Sequence, residues 1–463
     1  MAFPDAITRC RALRANLDNP PQKAAPVRAS LGERGVTQAE LAGGAARDVG
    51  EGALRTRVIV LLALAIFINY VDRGNLATAT PLIRDELKLT HTQIGMLLGS
   101  FFWVYTPGQL LAGWLAEKIN AYRTLALGLA LWALATAATG IATGFASILA
   151  LRLVLGLGES AAFPCSSKIL GEHLPTHRLG FANGMIGVGL ALGPAFGTFA
   201  GGLLMAKLGW RPVFILFGAV SALWLLPWFG MTRQVSRLAD EPKAANAPSF
   251  LAILRQRAMW GAGLGHFSGN YSFYFVIFWL PLYLVNARGF SVAEMGVIGG
   301  MIYIVYAISA QLTGLVSDMW MRAGASSTLV RKGFAVASHL GAAISLLVCA
   351  LGGTAVAIAG LFLAAICFGF NTPTIYAIGQ TLAGPRACGK WVAVQNCIGN
   401  IAGIVAPAVT GYIVDRTGLF TAAFLVAGMI SLLGVLGWAV IIPKVEPVDW
   451  SPRRSIGSGA APG

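Results

Sequence analysis

The sequence predicts an all-α membrane protein, in which twelve transmembrane helices form two six-helix bundles related by pseudo-symmetry. Hydrophobic residues make up 56% of the chain and charged residues 11%, whereas soluble domains carry about 25% charged residues. Apolar stretches of roughly 20 residues, long enough to cross a ~30 Å hydrocarbon core, recur along most of the length. The two halves of the chain also repeat each other.

The elements follow in order from a polar leader. Residues 1–56 contain no apolar core, which predicts a disordered cytoplasmic extension rather than a signal peptide. A polar loop, 231–257, separates a first bundle, 57–230, from a second bundle, 258–442. Residues 443–463, rich in Pro, Gly and Ser, predict a flexible cytoplasmic tail. The predicted helices 1 to 12 run near 58–80, 92–116, 122–143, 146–170, 180–206, 210–230, 259–286, 293–319, 332–351, 354–382, 391–414 and 419–442.

The placement of basic residues predicts the orientation in the membrane. The net charge is +15, with 34 Lys and Arg residues. Six of these fall on the predicted outer side and two within helices, so the remaining 26 lie in inner loops and termini. Cytoplasmic loops of membrane proteins carry an excess of Lys and Arg, so this asymmetry predicts that both termini are cytoplasmic. The charge therefore needs no nucleic-acid partner, and the lipid bilayer is the expected surrounding.

The internal repeat predicts where a site would lie. At an offset of 201 residues Tyr70 falls on Tyr271, and at an offset of 213 Asn183 falls on Asn396. Different loop lengths account for the two offsets. In membrane proteins built from such repeats, the site lies near the midplane between the halves.

Four charged residues lie at membrane depth: Asp72 and Arg73 in helix 1, and Arg152 and Glu159 in helix 4. Each such charge costs at least about 2.5 kcal/mol by insertion scales and usually faces a bundle interior or a water-filled cavity. Arg152 and Glu159 are seven residues apart, which places them on one helix face. Helices 1 and 4 can thus bring two acids and two bases to one cavity. A purely structural Asp–Arg network is the alternative interpretation.

Other chemistry finds little support in the sequence. The five histidines show no metal-ligand spacing, and the six cysteines lack CxxC spacing. The segment from Gly187 to Pro194 is rich in glycine but follows no strand, so helix packing explains it better than dinucleotide binding. We therefore expect no metal and no cofactor, and neither an enzyme nor a nucleotide-driven pump.

The loop after helix 2 resembles the signature of the major facilitator superfamily, Gly-x-x-x-Asp-Arg/Lys-x-Gly followed by basic residues. It contains Gly113, Glu117, Lys118 and Arg123, and the second half has a degenerate copy that ends at Asp318. Glu replaces Asp in the first copy. The resemblance implies that these residues form an inner gate, in which an acid pairs with a neighbouring base.

Helix 1 is similar, over Asn69-Tyr-Val-Asp-Arg73, to the anion:cation symporter family of that superfamily. Helix 4, from Arg152 to Glu159, and the segment Phe101-Phe-Trp-Val-Tyr105 are similar to it as well. The resemblance implies a monomeric secondary active transporter of a bacterial inner membrane that moves a small organic anion, typically a sugar acid, together with protons. Sodium coupling and an aromatic, phthalate-type carboxylate are alternatives, and a transporter-like membrane sensor is a more distant one.

The resemblance also implies roles for residues. Arg73 is expected to bind the substrate carboxylate, because a guanidinium forks onto both oxygens and keeps its charge when buried. Arg152 shares that role or holds Glu159. Asp72 and Glu159 are the expected proton carriers, since a substrate that occupies the arginine favours proton uptake by the acid beside it.

Neutral groups complete the predicted substrate site, and core packing is the alternative role for the aromatic ones. Arg152 falls on Ala365 in the repeat, so the coupling charges lie in the first half only. The predicted neutral ligands are Tyr70, Tyr105, Gln109, Asn270, Tyr271, Tyr274, Thr372, Thr374, Gln395 and Asn396.

Overall fold

The structure, a computed structural model, is helical throughout its regular elements. It describes residues 38–89, 91–239, 247–417 and 419–450. No strand occurs within these ranges. The contacts reported below all lie within the compact unit that begins at Ala53.

Twelve membrane spans account for the helices. In the described part of the chain, nine segments are long and apolar enough to cross a membrane. Two of them, Met96–Thr139 and Thr354–Val414, are 44 and 61 residues long, so each contains two spans. Arg257–Leu282, at 26 residues, adds one more. The count agrees with the prediction from the recurring apolar stretches.

We name these helices spans 1 to 12. Their bounds are Gln38–Leu87 (span 1, with the apolar part Thr56–Thr80), His91–Leu115 (span 2), Ala121–Thr139 (span 3), Phe145–Glu159 with Ala162–His173 (span 4), Leu179–Leu208 (span 5), Trp210–Leu223 with Leu225–Ala239 (span 6), Arg257–Leu282 (span 7), Val292–Arg322 (span 8), Ser327–Leu351 (span 9), Thr354–Thr417 (spans 10 and 11) and Phe420–Leu436 (span 12). Short helical turns Ala116–Asn120, Thr176–Arg178, Phe250–Leu254, Tyr283–Ala287 and Gly437–Ile441 lie between or beside them.

Spans 10 and 11 follow each other directly in the helical segment Thr354–Thr417, which is interrupted at Gly384. This glycine has φ 64° and ψ 175°, a left-handed conformation that glycine adopts without a Cβ clash. Pro385 follows it and cannot continue the preceding helix's hydrogen bonds. The chain therefore turns here and begins span 11.

The leader differs from the prediction over its last part. Helix Gln38–Leu87 includes residues 38–56, which the sequence analysis assigns to a disordered extension. The stretch from Gln38 to Ala46 contains Gln, Glu, Leu and several Ala residues, which are strong helix formers. Residues 1–37 lie outside the described ones. The loop predicted at 231–257 is likewise helical to Ala239.

The tail also differs from the prediction of a flexible segment. Val445 N–H donates to Thr328 Oγ1 at 2.9 Å, and Val448 N–H donates to Leu382 O at 2.8 Å. The Trp450 indole donates to Ala383 O at 2.9 Å. Val445 is buried. Apolar side chains and three hydrogen bonds thus fix residues 444–450 against the second half, while residues 451–463 lie outside the described part.

The two halves meet through spans 5 and 8 and through spans 2 and 11. Glycines allow the helix backbones to approach closely, as in other membrane helix pairs. A Cβ on Gly180 would lie 2.7 Å from Gly314 O across the halves. Between these contacts, at the centre of the molecule, the halves leave a cavity.

Candidate functional site

The cavity between the halves has an aromatic and amide wall. Its lining includes five residues that the sequence analysis predicts as substrate ligands: Tyr70, Tyr105, Asn270, Tyr274 and Thr372. They come from spans 1, 2, 7 and 10, so both halves contribute. Side chains of both halves meet at this cavity, which agrees with the location between the halves that is expected for the site of a repeat protein.

The cavity also has a lining that sequence reasoning missed. Tyr306 could have been found, because it is the repeat equivalent of Tyr105 at offset 201. Its hydroxyl lies 2.6 Å from Thr372 Oγ1. Phe163 and Tyr376 are likewise repeat equivalents at offset 213, and Phe273 is the equivalent of Asp72 at offset 201. The other missed residues carry no such signal, since only packing turns them inward: Leu190, His266, Phe368, Asn371, Ile375 and Asn400.

Arg73 lies behind the lining tyrosines. Its guanidinium carbon is 4.3 Å from the ring centre of Tyr70, 4.6 Å from that of Phe101 and 4.7 Å from that of Tyr105. Such cation–π contacts gain strength when the cation is desolvated. Tyr70 and Arg73 are three residues apart, which places them on one face of span 1. The tyrosine rings therefore hold the charge against the cavity.

The predicted meeting of helices 1 and 4 takes the form of an ion pair. Arg73 Nε donates to Glu159 Oε2 at 3.2 Å, and the Glu159 side chain is fully buried. Within the described residues, the ion-pair partner of Glu159 is thus Arg73 rather than Arg152. Glu159 is the last residue of the first segment of span 4.

The other two charges, Asp72 and Arg152, are held by partners within the first half. Thr136 Oγ1 donates to Asp72 Oδ2 at 3.1 Å. Arg152 Nε donates to Leu97 O at 3.3 Å, and its guanidinium lies 5.1 Å from the centre of Phe101. Phe101 therefore contacts both arginines, and all these contacts stay inside the first half. We call Asp72, Arg73, Arg152 and Glu159 the charged cluster.

Several predicted ligands do not line the cavity. Gln109 and Asn396 bond to each other, with Asn396 Nδ2 donating to Gln109 Oε1 at 2.6 Å. Gln395, Tyr271 and Thr374 are each at most 2% exposed but are absent from the lining. This geometry does not support their assignment as ligands, because a side chain one position along a helix points about 100° away.

The predicted gate in the first half closes with a different base. Glu117 Oε2 accepts from Lys168 Nζ at 2.6 Å, and Lys168 also donates to Pro385 O of the second half at 3.3 Å. Lys118 and Arg123 are exposed, and Lys118 lies over the ring of Trp114. Of the predicted gate residues, Lys118 and Arg123 thus do not supply the base that pairs with Glu117 in this structure, because span 4 brings Lys168 closer.

The second gate contact joins the halves at the N-terminus of span 5. Asp318 accepts from Gly180 N–H at 3.0 Å and from Phe181 N–H at 2.6 Å, and Arg331 approaches it at 3.5 Å. A carboxylate suits a helix N-terminus because the first amides point outward and carry positive partial charge. Gly113 packs directly against Ala393 of span 11. The predicted cytoplasmic side is closed in this structure.

Known proteins resemble this chain over most of its length. The model of the Major Facilitator Superfamily matches residues 62–385 and 323–462. A hexuronate transporter of Bacillus subtilis (strain 168) is 30% identical over 406 residues, which cover 85% of this chain and 96% of the relative. A probable sulfoacetate transporter of Cupriavidus necator is 30% identical over 426 residues, 87% of this chain and 97% of the relative.

A solved structure shows the same fold. The proton:xylose symporter XylE, bound to 6-bromo-6-deoxy-D-glucose, superposes with a TM-score of 0.71 at 13% identity, over 86% of this chain and 97% of that one. The family and these relatives are transporters rather than enzymes. The chain is therefore a multi-pass membrane transporter that belongs to the major facilitator superfamily, within its anion:cation symporter family.

Proposed function

We propose that this protein is a proton-coupled symporter of a small organic anion, most directly a sugar acid, that works by alternating access. We place it in a cell membrane with both termini in the cytoplasm, as the basic loops indicate. The observation that carries the proposal is the buried ion pair of Arg73 and Glu159 beside a tyrosine-lined cavity.

Unused hydrogen-bonding atoms in the charged cluster support anion binding. Arg73 Nη2, Glu159 Oε1 and Asp72 Oδ1 are buried and have no hydrogen-bond partner among the described residues. Buried polar atoms are nearly always paired, so an orphan needs an explanation. A substrate carboxylate would accept from Arg73 Nη2, and protons would fill the open carboxylate positions.

The ion pair suggests how the anion and the proton are coupled. A substrate carboxylate competes with Glu159 for the same guanidinium. Once displaced, Glu159 is a buried carboxylate without a counter-ion, which is costly in a low dielectric. Taking up a proton removes that cost. Asp72, held by Thr136 in the same half, is the second acid available for a proton.

The opposite wall of the cavity supports a hydroxylated substrate. It is neutral and polar, with Asn270, Thr372 and Asn371 on it. His266 Nδ1 and Asn371 Oδ1 are buried and lack partners within the described residues. An imidazole nitrogen, which donates or accepts according to its tautomer, and an amide oxygen both match sugar hydroxyls, which donate and accept. The aromatic residues suit the ring of a hexuronate, the substrate named for the Bacillus relative.

Uptake by purified protein in proteoliposomes tests the proposal. An inward proton gradient without sodium is imposed, and radiolabelled glucuronate, sulfoacetate and phthalate are compared. We expect glucuronate to accumulate above its outside concentration, and collapse of the gradient by an ionophore to abolish this. Accumulation that needs a sodium gradient instead would overturn proton coupling. Accumulation of sulfoacetate or phthalate alone would overturn the sugar-acid assignment.

A further inference from the structure

Four buried amide side chains form a layer beneath the cavity: Gln109 of span 2, Asn183 of span 5, Gln380 of span 10 and Asn396 of span 11. Each is at most 2% exposed. Asn396 Nδ2 donates to Gln109 Oε1 at 2.6 Å. Asn183 Nδ2 donates to Gln380 Oε1 at 2.7 Å, and Gln380 Nε2 donates back to Asn183 Oδ1 at 3.3 Å. Both pairs join the first half to the second.

Helix register places this layer between the cavity and the gate. Glu117 of the gate follows Gln109 by eight residues, which is about 12 Å along a helix. Three of the amides lie one helical turn from a cavity-lining residue of the same span, or about 6 Å. These neighbours are Tyr105 and Gln109, Tyr376 and Gln380, and Asn400 and Asn396.

Asn396 connects the layer to the cavity wall. Its Oδ1 accepts from the Tyr376 hydroxyl at 3.1 Å, while its Nδ2 bonds Gln109. Tyr376 lines the cavity. Both polar atoms of the Asn396 side chain thus already have protein partners, which argues against a role as a substrate ligand. A ligand that moves Tyr376 would disturb the bond to Gln109 instead.

We propose that the two amide pairs are an inner latch, which holds the halves together below the cavity and breaks each time the protein opens to the cytoplasm. Asn183 and Asn396 are repeat equivalents at offset 213, so each half contributes one asparagine that reaches the other half. The pairs carry no charge, and opening them needs neither a proton nor an ion. The four amides are positioning residues, and they act on the rocking motion assumed in the proposed transport cycle.

A native cysteine reports whether the latch is open. Cys388 is fully buried, and its Sγ donates to Ser167 O of the other half at 3.0 Å. A thiol reagent reaches it only when the halves separate on the gate side. Cys349 is buried inside the second half and bonds Ala357 O. Its labelling measures general unfolding rather than latch opening.

The test is the rate of N-ethylmaleimide labelling of Cys388 in the full chain, followed by peptide mass spectrometry without substrate. Variants are Gln109→Leu, Asn396→Leu and Asn183→Leu, which keep side-chain volume close to native. Gln395→Leu is the matched control, because this buried amide bonds Ile375 O and Trp391 within the second half only. Substrate KM is measured on the same samples.

We expect Gln109→Leu and Asn396→Leu to label Cys388 about fivefold faster, the population shift expected for one lost hydrogen bond of about 1 kcal/mol. Asn183→Leu removes two bonds between the halves and should speed labelling at least as much. The double variant of Gln109 and Asn396 should label no faster than either single one, because they share one bond. The labelling of Cys349, and that of Cys388 in the Gln395 variant, should stay at the native rate.

Unchanged Cys388 labelling in the latch variants, or an equal rise in the Gln395 variant, would overturn the latch. A raised KM with native labelling would restore the ligand role. Since labelling is measured without substrate, its outcome is independent of the uptake test of the proposed function.

Discussion

The two halves around the cavity are repeats of each other, but among the described residues the buried charges beside the cavity lie in the first half. Asp72, Arg73 and Glu159 lie in spans 1 and 4 and are buried or nearly so. Their equivalents at the two repeat offsets are neutral and line the cavity: Phe273, Tyr274 and Thr372. The repeat therefore relates buried charges behind the cavity lining of the first half to neutral lining residues of the second half.

In the proposed transport cycle, this difference lets the buried ion pair survive the separation of the halves. Arg73 bonds Glu159, Asp72 bonds Thr136 and Arg152 bonds Leu97, all within the first half. Separation of the halves breaks none of these contacts. Among the described residues, the bonds that cross between the halves include the two amide pairs. At the gate, Lys168 donates to Pro385 O, Arg331 donates to Thr176 O, and Asp318 accepts from the amides of span 5. Breaking a buried ion pair costs about 3–5 kcal/mol, so in the proposed cycle this partition keeps the Arg73–Glu159 pair out of the barrier to rocking.

The largest effect should come from removing the cluster's cation. Arg73→Ala should lower proton-driven uptake at least about 100-fold, because it leaves Glu159 buried without its partner. Arg73→Lys keeps the charge but loses the planar fork, so we expect about a tenfold loss. The exposed outer residue Arg416 offers a control, and Arg416→Ala should transport normally. Native uptake by the Arg73→Ala protein would contradict a charged first half as the anion site.

The second effect separates coupling from binding. Glu159→Gln should still exchange labelled for unlabelled substrate across the membrane, because the cavity stays intact, but it should no longer concentrate substrate under a proton gradient. The same measurements on Asp72→Asn test whether Asp72 is the second proton carrier. Counterflow and gradient-driven accumulation, measured on the same vesicles, give the two readouts. If both variants still concentrate substrate, the carboxylates do not carry the proton.

A smaller effect should come from the neutral wall. Asn371→Ala should raise the KM about tenfold by removing one polar contact to the substrate, with the number of protons moved per substrate unchanged. Thr374→Ala distinguishes the sequence-based site from the structural one, since Thr374 is buried outside the cavity lining. It should keep a native KM. A KM change in the Thr374 variant alone would favour the sequence-based assignment.

The smallest effect concerns the predicted outer ends of the halves. There the first half has an ion pair, whereas the second half has an arginine bonded to backbone carbonyls. In the first half, Glu86 beyond the apolar part of span 1 accepts from Arg211 Nε at 2.8 Å and from the Trp210 indole at 2.6 Å. In the second half, Arg288 donates to backbone carbonyls of Cys349 and Gly352. The hydrogen bond from Arg211, with that from Trp210, holds the pKa of Glu86 below its ordinary value of 4.5.

The sign of the pH dependence follows from that lowered pKa. The contribution of Glu86 to stability is complete above pH 4.5 and is lost as the pH falls through the lower folded-state pKa. Glu86→Gln should therefore lower the melting temperature by about 1 °C at pH 7, as for an exposed pair, and by less at pH 3. Arg288→Gln should lower it equally at both pH values. If the loss in melting temperature changed with pH in the same way for both variants, the proposed difference between the two outer ends would be wrong.

Much of the site could be predicted from local features of the sequence. Arg73 and Glu159 were identified from charge at membrane depth, and Tyr306 was visible as the repeat partner of Tyr105. The gate base Lys168 and the amide partner of Gln109 could not be predicted, because no motif or charge pattern in the adjacent sequence indicates these contacts. Gln109 and Asn396 are 287 residues apart in the chain. Which buried amides pair with each other depends on how whole helices pack together.

The sequence by itself determined the all-α membrane fold, the number of spans and the half that carries charge. These follow from composition, because apolar length and the cost of burying a charge act on each helix whatever its partners. Only the tertiary structure decided that the tail docks at Trp450, that Lys168 closes the gate and that the amides pair across the halves. Such contacts depend on directional bonds over a few ångströms, which close packing of distant helices sets and local sequence does not.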